Sequence, residues 1–283
     1  MIVVTGASGQ LGRLVIQSLL SRMPATQIVA AVRRPESVAD LAALGVVVRQ
    51  ADYTQPASLD AAFKGAEKIL LVSSSEVGQR SVQHRNVIDA AGRAGVALLA
   101  YTSLLHADTS PLALREEHLE TEAWLQSSGV PAVVLRNGWY TENYLASVPP
   151  ALAHGAFIGC AGDGRIASAA RADYAEAAAV VLTTPGQAGK VYELAGDEAY
   201  TLSEFAAELS RQSGKAIPYV DLDEAGFKAA LLDAGLPAPL AELLANSDRG
   251  ASQGGLFDDQ CQLGQLIGRP TTGLVALMAA ALE

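Results

Sequence analysis

Cysteine is almost absent: Cys160 and Cys261 are the only two in 283 residues. They are too few and too far apart to build a disulfide framework or a zinc site. The four histidines, at 84, 106, 118 and 154, show no ligand spacing, so no metal is expected. Basic charge is in deficit, with 20 Lys and Arg against 30 Asp and Glu, giving a net charge of −10. Neutralising phosphates needs a basic face, so no nucleic-acid partner is expected. The surplus acid reads as solvated surface. Long apolar runs are also missing: Ala175–Leu182 is interrupted by Glu176 and is far too short to span a bilayer. No basic segment followed by an apolar one opens the chain. The expectation is a soluble, cytoplasmic protein with no membrane insertion.

What is present is ample core material. Half of the residues are apolar and 18% are charged, ordinary values for a globular chain. The length suits one large domain or two modest ones. Strand-like and helix-like stretches alternate from the start: Ile2–Thr5 as strand, then Leu11, Leu14, Val15 and Leu19 at helical spacing. Further strands are expected at 27–32, 46–50, 68–73, 97–102 and 132–136, with helices at 37–44, 57–63, 78–94 and 112–127. Six apolar strands separated by helices predict an α/β fold, a Rossmann-type doubly wound parallel sheet with helices on both faces. Past residue 138 the elements shorten around Pro149-Pro150, a glycine stretch near 159–164 and Pro237-Ala-Pro239. Thr201-Leu-Ser-Glu204 is a capping box, Ile217–Leu222 a possible strand and Leu274–Leu282 a closing helix. The expected division is a nucleotide domain over 1–150, with a return at about 172–200. A smaller, mainly helical lobe for substrate is expected over 151–283.

The strand ending at Thr5 meets Gly6-x-x-Gly9-x-x-Gly12 and then a helix. Gly6 makes the turn, Gly9 admits a pyrophosphate and Gly12 lets helix and strand close. Backbone N–H groups across Ser8, Gly9, Gln10 and Leu11 then face the anion at a helix N-terminus. The alternative is a strand-to-helix turn without a ligand. At the end of the second strand, where an NAD site usually carries an acid, stands Arg33 followed by Arg34. A guanidinium binds a 2′-phosphate bidentately, so the cofactor expected is NADP(H). One such contact is worth ~1.5–3 kcal/mol, about a 10- to 100-fold preference. Asp52, just past the third strand, either bonds the adenine amino group or holds a turn beside Pro56. Ser73, Ser74 and Ser75 end the fourth strand, where small side chains allow the cofactor to pass closely.

The glycine turn, Arg33 and the run Arg136-Asn-Gly-Trp-Tyr-Thr-Glu-Asn143 together resemble the NmrA-like atypical short-chain dehydrogenases, particularly the NADPH-dependent quinone oxidoreductases and triphenylmethane reductases. The likeness extends to the closing Gly268-Arg-Pro-Thr-Thr272. It implies that Asn137, Gly138, Trp139, Tyr140 and Asn143 line the nicotinamide pocket. Residues Ala169–Asp173, Arg171 among them, close over the carboxamide end. Tyr140 and Asn143 are the implied catalytic residues; Trp139 is read as core and Tyr144 as a wall of the substrate pocket.

One departure from ordinary short-chain dehydrogenases bears on substrate. Their Tyr-x-x-x-Lys pair supplies a proton, yet no tyrosine here is followed by lysine four residues on. The corresponding positions beyond Ser103 hold Leu114 and His118. His118 is a candidate replacement acid; the alternative is a solvated or paired helical histidine. Hydride delivered to a ketone makes an alkoxide, as hard to stabilise as hydroxide (water pKa ~15.7). Delivered to a quinone it makes a phenolate, with tyrosine (pKa ~10) as guide, which water can protonate. The implied activity is direct hydride transfer to a quinone or similar aromatic acceptor, without flavin or metal. The alternatives are a reductase of triphenylmethane or azo dyes and a non-catalytic NADP-binding redox sensor. Monomer and homodimer both stay open.

Overall fold

Short apolar runs become strands and helical spacing becomes helices along most of the chain. The computed structural model describes residues 1–283. Its first half runs β1 (Ile2–Val4), α1 (Gln10–Leu20), β2 (Ile28–Val32), α2 (Ala39–Ala43), β3 (Val47–Gln50), α3 (Pro56–Ala62) and β4 (Lys68–Leu71). Then come α4 (Arg80–Ala94), β5 (Leu98–Leu104), α5 (Arg115–Ser128), β6 (Ala132–Asn137), α6 (Thr141–Leu145), α7 (Val148–His154) and β7 (Phe157–Gly159). The remainder is α8 (Arg171–Thr183), β8 (Val191–Leu194), α9 (Leu202–Ser213), β9 (Tyr219–Asp221), α10 (Glu224–Asp233), α11 (Ala238–Ser252), α12 (Gln262–Ile267) and α13 (Leu274–Leu282).

Seven strands form one sheet in the order β3-β2-β1-β4-β5-β6-β8. From β3 to β6 every pairing is parallel, with Val3 lying between Val29 and Ile69. All of β1 and β2 is buried, as strands covered on both faces must be. The order reverses between β1 and β4, where open α/β sheets leave a crevice at the carboxyl ends of their strands. The sequence does not announce the seventh strand, β8: it starts on exposed Val191 and is interrupted by Glu193, so its apolar signal is weak.

Two compact units share the chain. The first holds residues 1–107, 116–137 and 171–192; the second holds 108–115, 138–170 and 193–283. The changeover falls at Asn137, not near residue 150, and the return ends at Tyr192, not near 200. The cause is local: Thr141 N–H bonds Ala169 O and Ala169 N–H bonds Trp139 O, so the chain just after β6 is tied to residues of its own unit.

In the first unit Val3, Ile69, Leu71, Leu99 and Tyr101 of the sheet pack with Leu59 and Ile88 of the covering helices and with Phe63 at the end of α3. Each fully buried aliphatic or phenyl side chain stabilises by about 1.5–3 kcal/mol. On α8, Ala175, Ala177, Ala178 and Ala179 are all buried, and their small size lets α1 lie against the helix. Helix α4 stops where Gly95 takes φ +64°, a left-handed cap that a side chain would strain.

In the second unit β7 and β9 pair in parallel, Phe157 opposite Tyr219. Of these, only β9 was expected from the sequence. Phe205 is the hub of the unit's aromatic packing, with ring centres 4.8 Å from Phe157 and 6.1 Å from Tyr144. Helix α9 begins with the expected capping box: Thr201 Oγ1 accepts from Glu204 N–H at 3.2 Å, and the Glu204 carboxylate accepts from Thr201 N–H at 2.8 Å. No helix is long and apolar enough to cross a membrane.

Candidate dinucleotide site

The glycine turn has the geometry its spacing implies. Gly6 adopts φ +57°, and its carbonyl accepts from Gly9 N–H at 2.9 Å. Gly9 caps α1 with no side chain in the way, and Arg13 N–H returns to Gly9 O at 3.0 Å. The N–H groups before Arg13 have no partner inside the helix, which leaves them for an anion. A Cβ on Gly12 would sit 2.5 Å from Gly6 O and 2.8 Å from Ala7 Cα, so only glycine lets the helix close on the turn.

Over this turn lies a cavity of about 280 Å³ whose wall comes entirely from the first unit. Gly6, Ser8, Gly9, Gln10, Leu11 and Gly12 line one side of it. Arg33, Asp52, Ser73, Ser74 and Ser75 line the rest, together with Ala31, Val32, Ala51, Tyr53, Val72, Glu76 and Gln83. Asp52 serves the turn: its Oδ1 accepts from Thr54 N–H at 2.9 Å and from Thr54 Oγ1 at 2.8 Å. It also borders the cavity, so the two expectations for it are compatible. Tyr53 reaches the residues that directly follow β1 and β4, its hydroxyl 2.5 Å from Thr5 Oγ1 and 2.8 Å from Val72 O. Burial raises its pKa, so the phenol stays protonated.

The serine segment is clamped from beneath. Ser74 N–H donates to His84 Nε2 at 2.9 Å, and Arg80 Nε donates to Ser74 O at 2.5 Å. Because Nε2 accepts, the neutral ring carries its proton on Nδ1, which donates to Thr121 Oγ1 at 3.0 Å. Burial, reinforced by the Arg80 cation, lowers the His84 pKa to about 3.

His118 is not solvated and is not part of the cavity wall. It is 5% exposed, its Nδ1 is 2.6 Å from the Tyr101 hydroxyl, and burial with Arg80 and His84 lowers its pKa to about 3. A ring that stays neutral is poorly suited to giving up a proton at ordinary pH. Ser103 and Arg136 are also committed internally. Ser103 Oγ donates to Glu122 Oε1 at 2.5 Å, and Arg136 Nη2 reaches Glu122 Oε2 at 2.8 Å, with both ion-pair partners nearly buried.

Asn137 closes β6 in the first unit; its side chain is 6% exposed and its Oδ1 is buried with no hydrogen-bond donor. Gly138, Trp139, Tyr140 and Asn143 belong to the second unit. There Tyr140 bridges to Ala169, and Asn143 N–H donates to Tyr140 O at 3.0 Å. Beneath them Ser168 Oγ lies 2.7 Å from Thr141 Oγ1 and 2.6 Å from the Tyr200 hydroxyl. Arg171 opens α8 in the first unit. Tyr144 is 7% exposed, and its hydroxyl donates to Asp248 Oδ1 at 3.1 Å.

Glu76 and Gln83 escaped the sequence reading. Arg33 Nη1 donates to Glu76 Oε1 at 2.9 Å, and Gln83 Nε2 donates to Glu76 Oε2 at 2.7 Å. Glu76 directly follows the three serines, which is a usable signal; Gln83, a turn into α4, carries none.

Comparison with known proteins agrees with this geometry. Residues 6–185 match the NAD(P)H-binding family. Quinone oxidoreductase 2 of Escherichia coli K12 is 63% identical over 274 residues, covering 97% of this chain and 96% of the relative. The crystal structure of the E. coli NADPH-dependent quinone oxidoreductase with NADPH superposes at a TM-score of 0.98, with 61% identity over all of both chains. The triphenylmethane reductase of Citrobacter sp., solved with NADP(H), gives a TM-score of 0.95 at 39% identity over 99% of this chain and 100% of that one. With the glycine turn, Arg33 and the sheet order already in place, these likenesses show that the chain belongs to the NAD(P)H-binding family, among its NmrA-like atypical short-chain reductases.

Proposed function

We propose that this chain is an NADPH-dependent quinone oxidoreductase that passes hydride directly to its acceptor. The observation that carries the reading is Arg33 on the wall of the same cavity as the glycine turn. The sequence around it is 63% identical to a quinone oxidoreductase. The donor set fits the cofactor: unpaired N–H groups at the start of α1 for the pyrophosphate, the Arg33 guanidinium for the 2′-phosphate, and Asp52 with Tyr53 for the adenine side. Bound NADPH supplies the hydride; the protein supplies proximity and orientation.

The first unit carries the cofactor in this reading, and the second contributes to quinone recognition. Asn137, Gly138, Trp139, Tyr140, Asn143 and Arg171 are assigned to the nicotinamide end on the family resemblance. The orphaned Asn137 Oδ1 is in keeping with a donor arriving from a ligand. After hydride addition a quinone becomes a phenolate that water protonates, so no dedicated acid is needed. The neutral, buried His118 supports that economy.

The test is loss of NADPH absorbance with a simple quinone, compared with a ketone and an aldehyde. Rapid loss with the quinone alone is expected, with Tyr140→Ala and Asn143→Ala slowing it more than His118→Ala does. Comparable turnover of the ketone would overturn the acceptor assignment. NADPH binding without consumption by any acceptor would instead make the protein a redox sensor. A cationic triphenylmethane dye is the second acceptor to measure: a reductase of such dyes is 39% identical, and hydride on a carbocation requires no proton at all.

A further inference from the structure

The Arg33 guanidinium is already engaged. Its Nη1 donates to Glu76 Oε1 at 2.9 Å, while the other oxygen of that carboxylate accepts from Gln83 Nε2 at 2.7 Å. All three residues line the cavity. Gln83 is buried at 4% exposure, so it is a fixed anchor, and it holds Glu76 toward Arg33. Glu76 N–H is itself tied to Ser74 Oγ at 3.1 Å. The carboxylate is therefore placed by side-chain and backbone contacts, although the ion pair itself lies at the exposed rim.

We propose that Glu76 is a specificity-determining residue that competes with the cofactor's 2′-phosphate for Arg33. A dianionic phosphate arriving at Arg33 meets a carboxylate that holds the same cation. Either the carboxylate withdraws, losing its ion pair, or it stays and repels the phosphate. NADH carries no 2′-phosphate and leaves the Arg33–Glu76 pair intact. Glu76 thus narrows the preference for NADPH that Arg33 alone would confer, and keeps the arginine in place while the cavity is empty. The inference rests on the proposed cofactor site.

The test is direct titration of NADPH, NADH and adenosine 2′,5′-bisphosphate against the wild type, Glu76→Gln, Arg33→Gln and the double variant, following protein fluorescence. Glu76→Gln keeps the size of the side chain and can still accept from Gln83. It is expected to tighten NADPH and the bisphosphate on the order of fivefold, the upper end for an exposed ion pair. NADH should change by less than about twofold, the lower end of that range. The gain should disappear in the Arg33→Gln background and shrink at high salt. Unchanged or weaker NADPH binding in Glu76→Gln, with a wild type that binds NADPH, overturns the inference and leaves the cofactor site standing. Weaker NADH with unaltered NADPH also overturns it, because Glu76 would then be reading the ribose hydroxyls. A wild type that binds neither NADPH nor the bisphosphate overturns the site and the inference together. Glu76→Ala, checked by its melting curve, guards against a local effect of the amide.

Discussion

His118 and Tyr101 meet 2.6 Å apart inside the first unit, imidazole Nδ1 against phenol oxygen, with Tyr101 wholly buried. That contact accounts for the histidine: it gives a buried hydroxyl a hydrogen-bond partner. His118→Ala is therefore expected to lower stability and leave chemistry largely intact. Quinone turnover should fall far less than the ~10²–10⁴-fold typical of losing a general acid. Steady-state kinetics beside a melting curve separates the two effects. A collapse of kcat with unchanged melting and unchanged NADPH affinity would restore His118 as the acid.

Arg33 and the residue after it differ in their place at the cavity, and with it in the proposed part in cofactor choice. Arg33 borders the cavity; Arg34 is not part of its wall. Arg33→Glu should remove a charge-assisted contact and add repulsion. The NADPH-to-NADH affinity ratio should drop at least the ~10- to 100-fold that ~1.5–3 kcal/mol represents. NADH affinity should barely move. An unchanged ratio, measured by equilibrium titration, would shift the role to Arg34.

The glycines of the turn differ in what a side chain would meet. A Cβ on Gly9 lies 3.2 Å from Gly6 O, a tight contact that a small shift relieves, whereas one on Gly12 lies 2.5 Å from the same backbone oxygen. Gly9→Val should block the pyrophosphate with only a small loss of melting temperature. Gly12→Ala should cost both binding and stability, since helix and turn must part. Micromolar NADPH binding retained in Gly9→Val would remove the pyrophosphate from this turn.

These contrasts show which features the sequence makes legible. Gly6, Gly9 and Gly12 answer a local backbone demand, so their roles follow from spacing. Arg33, Asp52 and Ser73–Ser75 follow from strand ends in a parallel sheet, and all of them line the cavity. β1, β2, β4 and β5 announce themselves because they are almost wholly buried and mostly apolar, while the edge strand β3 shows only Val47 and Val48 and β6 only its first four residues. β8 and the three-residue β7 do not, since their signal is short and partly polar. The pairings of Glu76 with Gln83, His118 with Tyr101 and Arg136 with Glu122 join residues 7, 17 and 14 positions apart. They arise from packing between elements, and no motif encodes them. The same holds for the end of the first unit at Asn137, which depends on how residues 139–141 pair with Ala169.

Acid should unfold this protein through its buried histidines. His84 and His118 both have folded pKa values near 3, against 6.5 for an unperturbed ring, because burial and the Arg80 cation disfavour the imidazolium. Above pH 6.5 both states are neutral there and the stability is fully present. As pH falls from 6.5 toward 3 the unfolded chain takes up protons that the folded chain refuses, so stability is lost. Each histidine contributes a slope of about 1.4 kcal/mol per pH unit within that window. Asp248 acts in the opposite sense. Burial lifts its pKa from 3.8 to about 6, so between those values the folded state holds a proton that the unfolded state has released. It offsets roughly one of the two histidines across that interval in a single cooperative transition. The expected net dependence between pH 6 and pH 4 is thus about one proton. Urea unfolding followed at intervals of pH should show it, and His84→Gln should flatten the slope by about one proton's worth. His84 also holds Ser74, and because its ring stays neutral in the folded state over this range, its bond from Ser74 N–H should persist there. A slope that His84→Gln leaves unchanged would mean that the ring is protonated in the folded state and that its bond from Ser74 N–H is not formed.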